Sequence, residues 1–268
     1  MAVRLRVLGS GTLLPDPHRG GPAFWVETES SRLLMDCGPG AMRTLSRLGL
    51  PWQEATHILL SHLHTDHVAD LAPLLFALRH GLDRPRRKPL YLLGPPGLLE
   101  HLGWLSRAHG PYVTDPGFPL VAEELGAGDA WSRHQGDFLV EARHTVHTEN
   151  SLAFRIEAGD LALGYTGDTG PDQSLGVFLR GCQVLVAECS FPDGEGMDTH
   201  LTPTDLAVLA RVAAPEVLIT VHAYPPLDPH EVPDLLAEAG YAGRAVAGRD
   251  GMQVILRGSG VVIEVPEE

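Results

Sequence analysis

The sequence predicts an α/β (α+β) protein with two mixed β-sheets flanked by helices. Three observations predict it. Short apolar runs bounded by Gly, Pro and Asp recur from end to end, and helical patterns lie between them. A hairpin-like cluster of strands comes first, strands then alternate with helices, and this order repeats approximately in the second half. The 268 residues, 44% of them hydrophobic, can bury a sizeable core, which excludes a disordered chain. No linker, composition shift or low-complexity tract divides them, so residues 1–268 are expected to form a single domain.

In chain order, strands are expected over 3–8, 23–27, 32–35, 56–60, 90–93, 138–143, 152–156, 161–165, 183–187, 217–221, 252–256 and 261–265. Each is a short apolar run closed by turn-forming residues. Helical spacing of apolar residues places helices at 41–48, 68–79, 96–106, 204–213 and 229–239. Before the fourth of these, Thr202 and Pro203 supply a capping hydroxyl and a proline in the first turn. The glycines of GSG at 9–11 follow a strand, but the G-x-G-x-x-G spacing fails at Leu14, which removes the case for a dinucleotide site.

Twenty basic against 34 acidic side chains give a net charge of −14, and Lys88 is the only lysine. Such a surface repels phosphate backbones at long range and disfavours an extended nucleic-acid partner. It leaves open a small pocket charged by cations. The densest basic run, 84–88 within DRPRRK, reads as a solvated loop. Cys37, Cys182 and Cys189 are too few and too irregular for a disulfide framework or a zinc ribbon, and read as small buried residues. No stretch approaches the roughly 18 apolar residues that span a bilayer, and MAVRLRVLGSGT has no cleavage-like signal. A soluble, cytoplasmic protein without a membrane partner is expected.

Histidine is the anomaly, with 14 copies. After the expected strand 56–60 comes SHLHTDHVADL, which gathers His62, His64, Asp66 and His67 within six residues. On a strand, residues two apart point the same way, so His62 and His64 can share one ion. Asp66 and His67 then leave at the turn into a helix and can serve a second. Three more candidates stand where later strands end: His147, with His144 as its competitor, then Asp168 in GYTGDTG, and His222 in LITVHAYP. Singly each is unremarkable, but jointly they place imidazoles and carboxylates on one rim. A donor set of that kind without thiolate suits Zn, Mn or Fe.

HLHTDH, the His147 region, TGDT and the His222 strand resemble the ordered motifs of the metallo-β-lactamase superfamily, over almost the full chain. Within it, the chain most resembles the ribonuclease Z-like phosphodiesterases. That branch is indicated by LGSGTLLPDPHRGG, LLMDCGPGAMRTL, the step from His147 to Arg155 in HTENSLAFR, VAECSF, and THLTPTDLA. The resemblance implies a four-layer αβ/βα sandwich with a dinuclear site along one edge of its two sheets. It implies two divalent metal ions, zinc first, with manganese or iron as alternatives. His62, His64 and His147 would hold one, Asp66, His67 and His222 the other, and Asp168 would bridge them.

The spacing to Arg155 favours His147 over His144, and Asp36 in MDCG resembles an acidic residue that supports the site from behind its ligands. Glu188 and His200 resemble a Glu–His pair proposed to handle the leaving-group proton, against a plainer reading as a surface glutamate and a loop histidine. The catalytic residues implied are therefore Asp66, Asp168, Glu188 and His200. The activity implied is hydrolysis by a metal-held hydroxide, on a small or short phosphodiester or an RNA 3′-type substrate. Carbonyl hydrolysis of a lactone or thioester is the alternative enzyme, and a non-catalytic metal-binding protein the alternative outside catalysis. The chain departs from ribonuclease Z in having no recognisable basic arm, and in following its last histidine with HAYPPLD. Relatives of this branch often pair, so a homodimer is a further expectation of the resemblance.

Overall fold

The computed structural model describes residues 2–126 and 131–266. The first part of the chain forms β1 (Ala2–Gly9), β2 (Ala23–Glu27), β3 (Arg32–Met35), α1 (Ala41–Arg47), β4 (His57–Leu59), α2 (Thr65–Val68), α3 (Leu71–His80), β5 (Leu90–Gly94), α4 (Leu98–His109) and β6 (Leu120–Glu124). The second forms β7 (Trp131–Gln135), β8 (Phe138–His144), β9 (Leu152–Ala158), β10 (Leu161–Tyr165), α5 (Gln173–Phe178), β11 (Val184–Glu188), α6 (Pro203–Ala213), β12 (Val217–Val221), α7 (Val232–Glu238) and β13 (Ala245–Ala247). The chain ends with β14 (Gln253–Arg257) and β15 (Gly260–Glu264).

Among the described residues the strands make two sheets, ordered β15-β14-β1-β2-β3-β4-β5-β6 and β13-β12-β11-β10-β9-β8-β7. Each is mixed in the same way. β1, β2 and β3 pair antiparallel and β3 to β6 parallel. β7 to β10 pair antiparallel and β10 to β13 parallel. The expected repeat is therefore present, and β14–β15 returns to complete the first sheet beside β1.

Alternation along single strands builds the layers. Leu33 and Met35 of β3 face a core between the sheets that also holds Phe24, Phe154, Val186 and Ile219. Leu34 points the other way, into a second core with Leu74, Leu78 and Leu102 of α3 and α4. On β11, Val184 and Val186 face the central core, whereas Leu185 meets Leu206 and Leu236 of α6 and α7. Because both faces of these strands are buried, they read as unbroken apolar runs rather than as alternating ones. The result is helix–sheet–sheet–helix. Among the described residues, no helix is long and apolar enough to cross a membrane.

Four expectations need correction. β4 ends at Leu59, so His62 and His64 stand on the loop beyond it and not on a strand. The helix expected over 68–79 is two helices, α2 and α3. Its break frees Asp70, whose carboxylate accepts the backbone N–H of Gly40 (3.1 Å) and Met42 (3.0 Å) at the start of α1. Sequence patterning also missed the partly exposed β6 and the short β13, as well as β7. Finally, Arg86 is not solvated: it is buried, and its guanidinium donates to the carbonyls of Gln53, Ala55, Lys88 and Pro89. The capped start at Thr202 is present as a capping box with Asp205, with Pro203 in the first turn.

His57, at the start of β4, is buried with its ring stacked on Tyr91 (5.1 Å between centroids) and edge-on to Phe138 (4.9 Å). Burial pushes its pKa down to about 4, from an ordinary value of 6.5. As pH falls from 6.5 towards 4, the unfolded chain takes up a proton that the folded chain still refuses, so stability drops across that window. The group contributes a loss of at most about 3 kcal/mol. Urea unfolding at pH 7 and pH 4 should show a smaller pH-dependent loss in His57→Phe than in the parent chain. Equal losses would sink this account.

Candidate metal centre

Parallel register decides where the chemistry gathers. β3 pairs with β4, β10 with β11 and β11 with β12, so these strands end side by side and deliver their next residues to one edge of the two sheets. Asp36 follows β3, His62 to His67 follow β4, Asp168 follows β10, Glu188 closes β11 and His222 follows β12. His147 arrives on the turn between β8 and β9. Two of these residues, Asp36 (φ 52°) and His222 (φ 66°), adopt the left-handed conformation that side chains with a Cβ disfavour. Backbone bonds hold both there, from Asp36 N to Leu59 O (2.8 Å) and from His222 N to Ser10 O (3.0 Å). Ser10 is in turn fixed by the half-buried carboxylate of Asp250, at 2.9 Å from both its N–H and its hydroxyl. Gly38 is required for close approach, since a Cβ there would lie 2.2 Å from the Asp66 carbonyl oxygen.

The seven residues singled out as metal ligands come together as two triplets with a carboxylate between them. Donor atoms of His62, His64 and His147 lie within 4.8 Å of one another, and so do those of Asp66, His67 and His222. His64 Nδ1 is 3.0 Å from His62 Nε2 and 3.1 Å from His147 Nε2. Across the gap, His222 Nε2 is 3.4 Å from Asp66 Oδ2, and His67 Nε2 is 3.9 Å from the same oxygen. Asp168 faces both sides, with Oδ2 at 3.8 Å from His62, 3.7 Å from His147 and 3.6 Å from His222, and Oδ1 at 3.4 Å from His67. His144 is not among them; its Nε2 bonds the Glu149 carbonyl oxygen.

Proton counting shows what these nitrogens offer. A carboxylate or a carbonyl only accepts, so His67 Nδ1 donates to Asp36 Oδ2 (2.7 Å) and His147 Nδ1 donates to Thr199 O (3.1 Å). Ser61 gives its hydroxyl proton to Asp36 (2.7 Å), so His62 Nδ1 must donate to Ser61 Oγ (3.1 Å). In the neutral imidazoles, the Nε2 atoms of His62, His67 and His147 then face the centre as bare lone pairs. His67 Nε2 is fully buried and has no hydrogen-bond partner among the described residues. Converging lone pairs and carboxylate oxygens repel unless an electron-poor centre sits among them, and this donor set fits divalent cations.

The electrostatics are those of a site tuned by its own charges. Burial works against a proton on His67, but Asp168 and Asp36 outweigh it and hold its pKa well above the ordinary value. Burial and the neighbouring His67 push His62 well below. Asp168 is fully buried, which alone would raise its pKa, yet His222, His67 and His62 hold it well below the carboxylate range. At the edge of the centre, Glu188 is buried rather than on the surface, and its Oε1 lies 3.0 Å from His200 Nδ1. Burial opposes charge on His200, but the bond and charge of Glu188 leave its pKa raised. The His200 ring sits 4.7 Å from that of His147.

A family model described as a beta-lactamase superfamily domain matches residues 31–223. The chain belongs to the beta-lactamase superfamily. Within it, the chain is similar to a Ribonuclease Z of Mycobacterium bovis, with 27% identity over 92% of this chain and 96% of that protein. Its fold matches that of the metallo-beta-lactamase fold protein YhfI from Bacillus subtilis at a TM-score of 0.80, with 21% identity over 95% of this chain and 99% of that one. The short form of human tRNase Z aligns at a TM-score of 0.76, with 22% identity over 93% of this chain and 98% of that one. The expected four-layer metallo-β-lactamase fold is the observed one.

Sequence reading missed the groups that orient the histidines. Ser61, Ser190, Tyr165 and the Thr199 carbonyl each bond an imidazole or its carboxylate. A hydroxyl residue beside a clustered histidine, as in Ser61-His62, was the signal available. Tyr165 donates to Asp36 Oδ2 at 2.7 Å, deep in the core. Tyr165→Phe keeps the packing and removes one donor from a buried carboxylate. It should cost about 1.5–3 kcal/mol in urea unfolding; an unchanged midpoint would mean that the remaining donors suffice.

Proposed function

We propose that this chain is a ribonuclease Z-like phosphodiesterase acting on small or short phosphodiesters with two divalent cations, zinc first. The observation that carries the reading is the pair of donor triplets with Asp168 between them and the Glu188–His200 pair beside them. His62, His64 and His147 would hold one cation, Asp66, His67 and His222 the other, and Asp168 both. When bound, such a pair supplies Lewis-acid polarisation of a phosphoryl oxygen and lowers the pKa of coordinated water.

The protein's own part is orientation and proton transfer. Asp36 and Thr199 O fix the ring planes of His67 and His147, and Ser61 that of His62. Asp168 and Asp66 keep their negative charge because the histidines around them depress their pKa values against the effect of burial. His200 gives its Nδ1 proton to a bond with Glu188, so its Nε2 is the end left to donate to a leaving oxygen. The raised pKa keeps that proton available near neutrality. The stretch from His147 to Asp168 is taken up by β9 and β10, and that from Asp168 to Glu188 by α5 and β11. With a net charge of −14, this supports a short substrate over a long polyanion.

Zinc-loaded protein should turn over bis(p-nitrophenyl) phosphate and leave a panel of lactones and thioesters untouched. Lactone hydrolysis without phosphodiester cleavage would reject the reading. His200→Ala should lower kcat about 10²–10⁴-fold on a diester with an alkoxide leaving group, and far less with p-nitrophenolate, which leaves without a proton. Zinc content should stay at about two ions per chain; loss of metal would make His200 a ligand instead.

A further inference from the structure

Two carboxylates, Asp36 just beyond β3 of the first sheet and Glu188 at the end of β11 in the second, are wired to the centre in the same way. In the first sheet Asp36 accepts directly from His67 and, through the Ser61 hydroxyl, from His62. In the second, Glu188 accepts directly from His200 and is bonded by the Ser190 hydroxyl, whose oxygen lies 3.0 Å from His222 Nδ1. All of the atoms in this second relay are buried. Ser190 has one hydroxyl proton, and Glu188, which can only accept, takes it. The Ser190 oxygen is then an acceptor, so His222 Nδ1 must carry a proton and donate it. His200 Nδ1 lies farther from Ser190, at 3.4 Å, and its own proton is directed at Glu188 (3.0 Å).

We propose that Ser190 is a positioning residue that holds a proton on His222 Nδ1, so that Nε2, hydrogen-bonded to Asp66 Oδ2 at 3.4 Å, is the nitrogen presented to the second cation. The inference rests on the two-cation reading above for its consequence, but not for the tautomer itself. Glu188 thereby has a wider role than partner to His200. Its Oε1 also accepts the backbone N–H of Thr169 (2.6 Å), directly after Asp168, and its Oε2 that of Leu201 (3.3 Å). One buried carboxylate ties together the loops of Asp168 and His200 and, through Ser190, the ring of His222.

The test has a readout without metal and one with it. Long-range ¹H–¹⁵N spectra of the imidazoles in metal-free protein should show His222 Nδ1 carrying a proton in the parent chain, and a larger share of His222 with its proton on Nε2 alone, directed at Asp66, in Ser190→Ala. The same distribution in both would overturn the proposal. Zinc competition against a chromophoric chelator should show one equivalent bound 10–100-fold less tightly in Ser190→Ala, with the other equivalent unchanged. Ser190→Thr, which keeps the hydroxyl, should recover most of that loss. In a His222→Ala background, Ser190→Ala should add no further loss, because its effect acts through that ring. An additive loss, or equal weakening of both equivalents, would make Ser190 a packing residue and overturn its role. A parent chain that binds no zinc would sink the two-cation reading, while the tautomer spectra would still judge Ser190.

Discussion

The site depends on where a few protons are held. Asp36 and Glu188, both buried and surrounded by donors, draw imidazole and hydroxyl protons outward, away from the centre. Asp36 accepts from the Ser61 N–H and hydroxyl, His67 and Tyr165, each at 2.7 Å. A carboxylate taken out of water this completely is tolerable only because four donors replace its hydration. Those same bonds choose the tautomer and ring plane of the histidines in front of it. Stability and function therefore draw on one set of interactions: loosening Asp36 unsettles the core at Tyr165 and misdirects His67 together.

That arrangement is a product of topology. Parallel strands that end in register put their C-terminal loops side by side, and each sheet here presents such an end to the other. The apolar layer between the sheets stops where Phe24, Tyr165 and Val221 give way to Asp36, Asp168 and His222. The change is abrupt enough that two residues must take left-handed backbone angles to turn their side chains inward. Asp250 stands behind one of them. By fixing Ser10, it steadies the carbonyl that accepts from His222, from a sequence position far from any histidine.

Much of this was legible in the sequence, for identifiable reasons. Strands buried on both faces are continuous apolar runs, so most of them stood out, and the clustered histidines and Asp66 had no packing explanation. The route by which His62 and His64 meet was not legible: they converge from a loop, and the alternation argument for a strand does not apply to them. Edge strands such as β6 carry too many polar residues to be told from loops. Arg86 looked like one charge in a basic run because carbonyl oxygens, unlike acidic side chains, leave no trace in a sequence. Ser190 stands in the plain run VAECSF, and a serine announces neither burial nor the direction of its proton.

The opposition between an acidic surface and phosphate chemistry also resolves at the level of single groups. The charge of −14 is spread over the whole chain, whereas the centre gathers four histidines around one buried aspartate at 3.4–3.8 Å. On the proposed reading, two divalent ions add about four positive charges at that point. The ions would dominate the potential close to the pocket, whereas elsewhere on the surface the carboxylates act on any charge that passes within the Debye length of roughly 10 Å. A substrate short enough to keep its charge close to the pocket feels attraction. One that trails further phosphates across the surface meets repulsion at each of them, so charge alone selects for length.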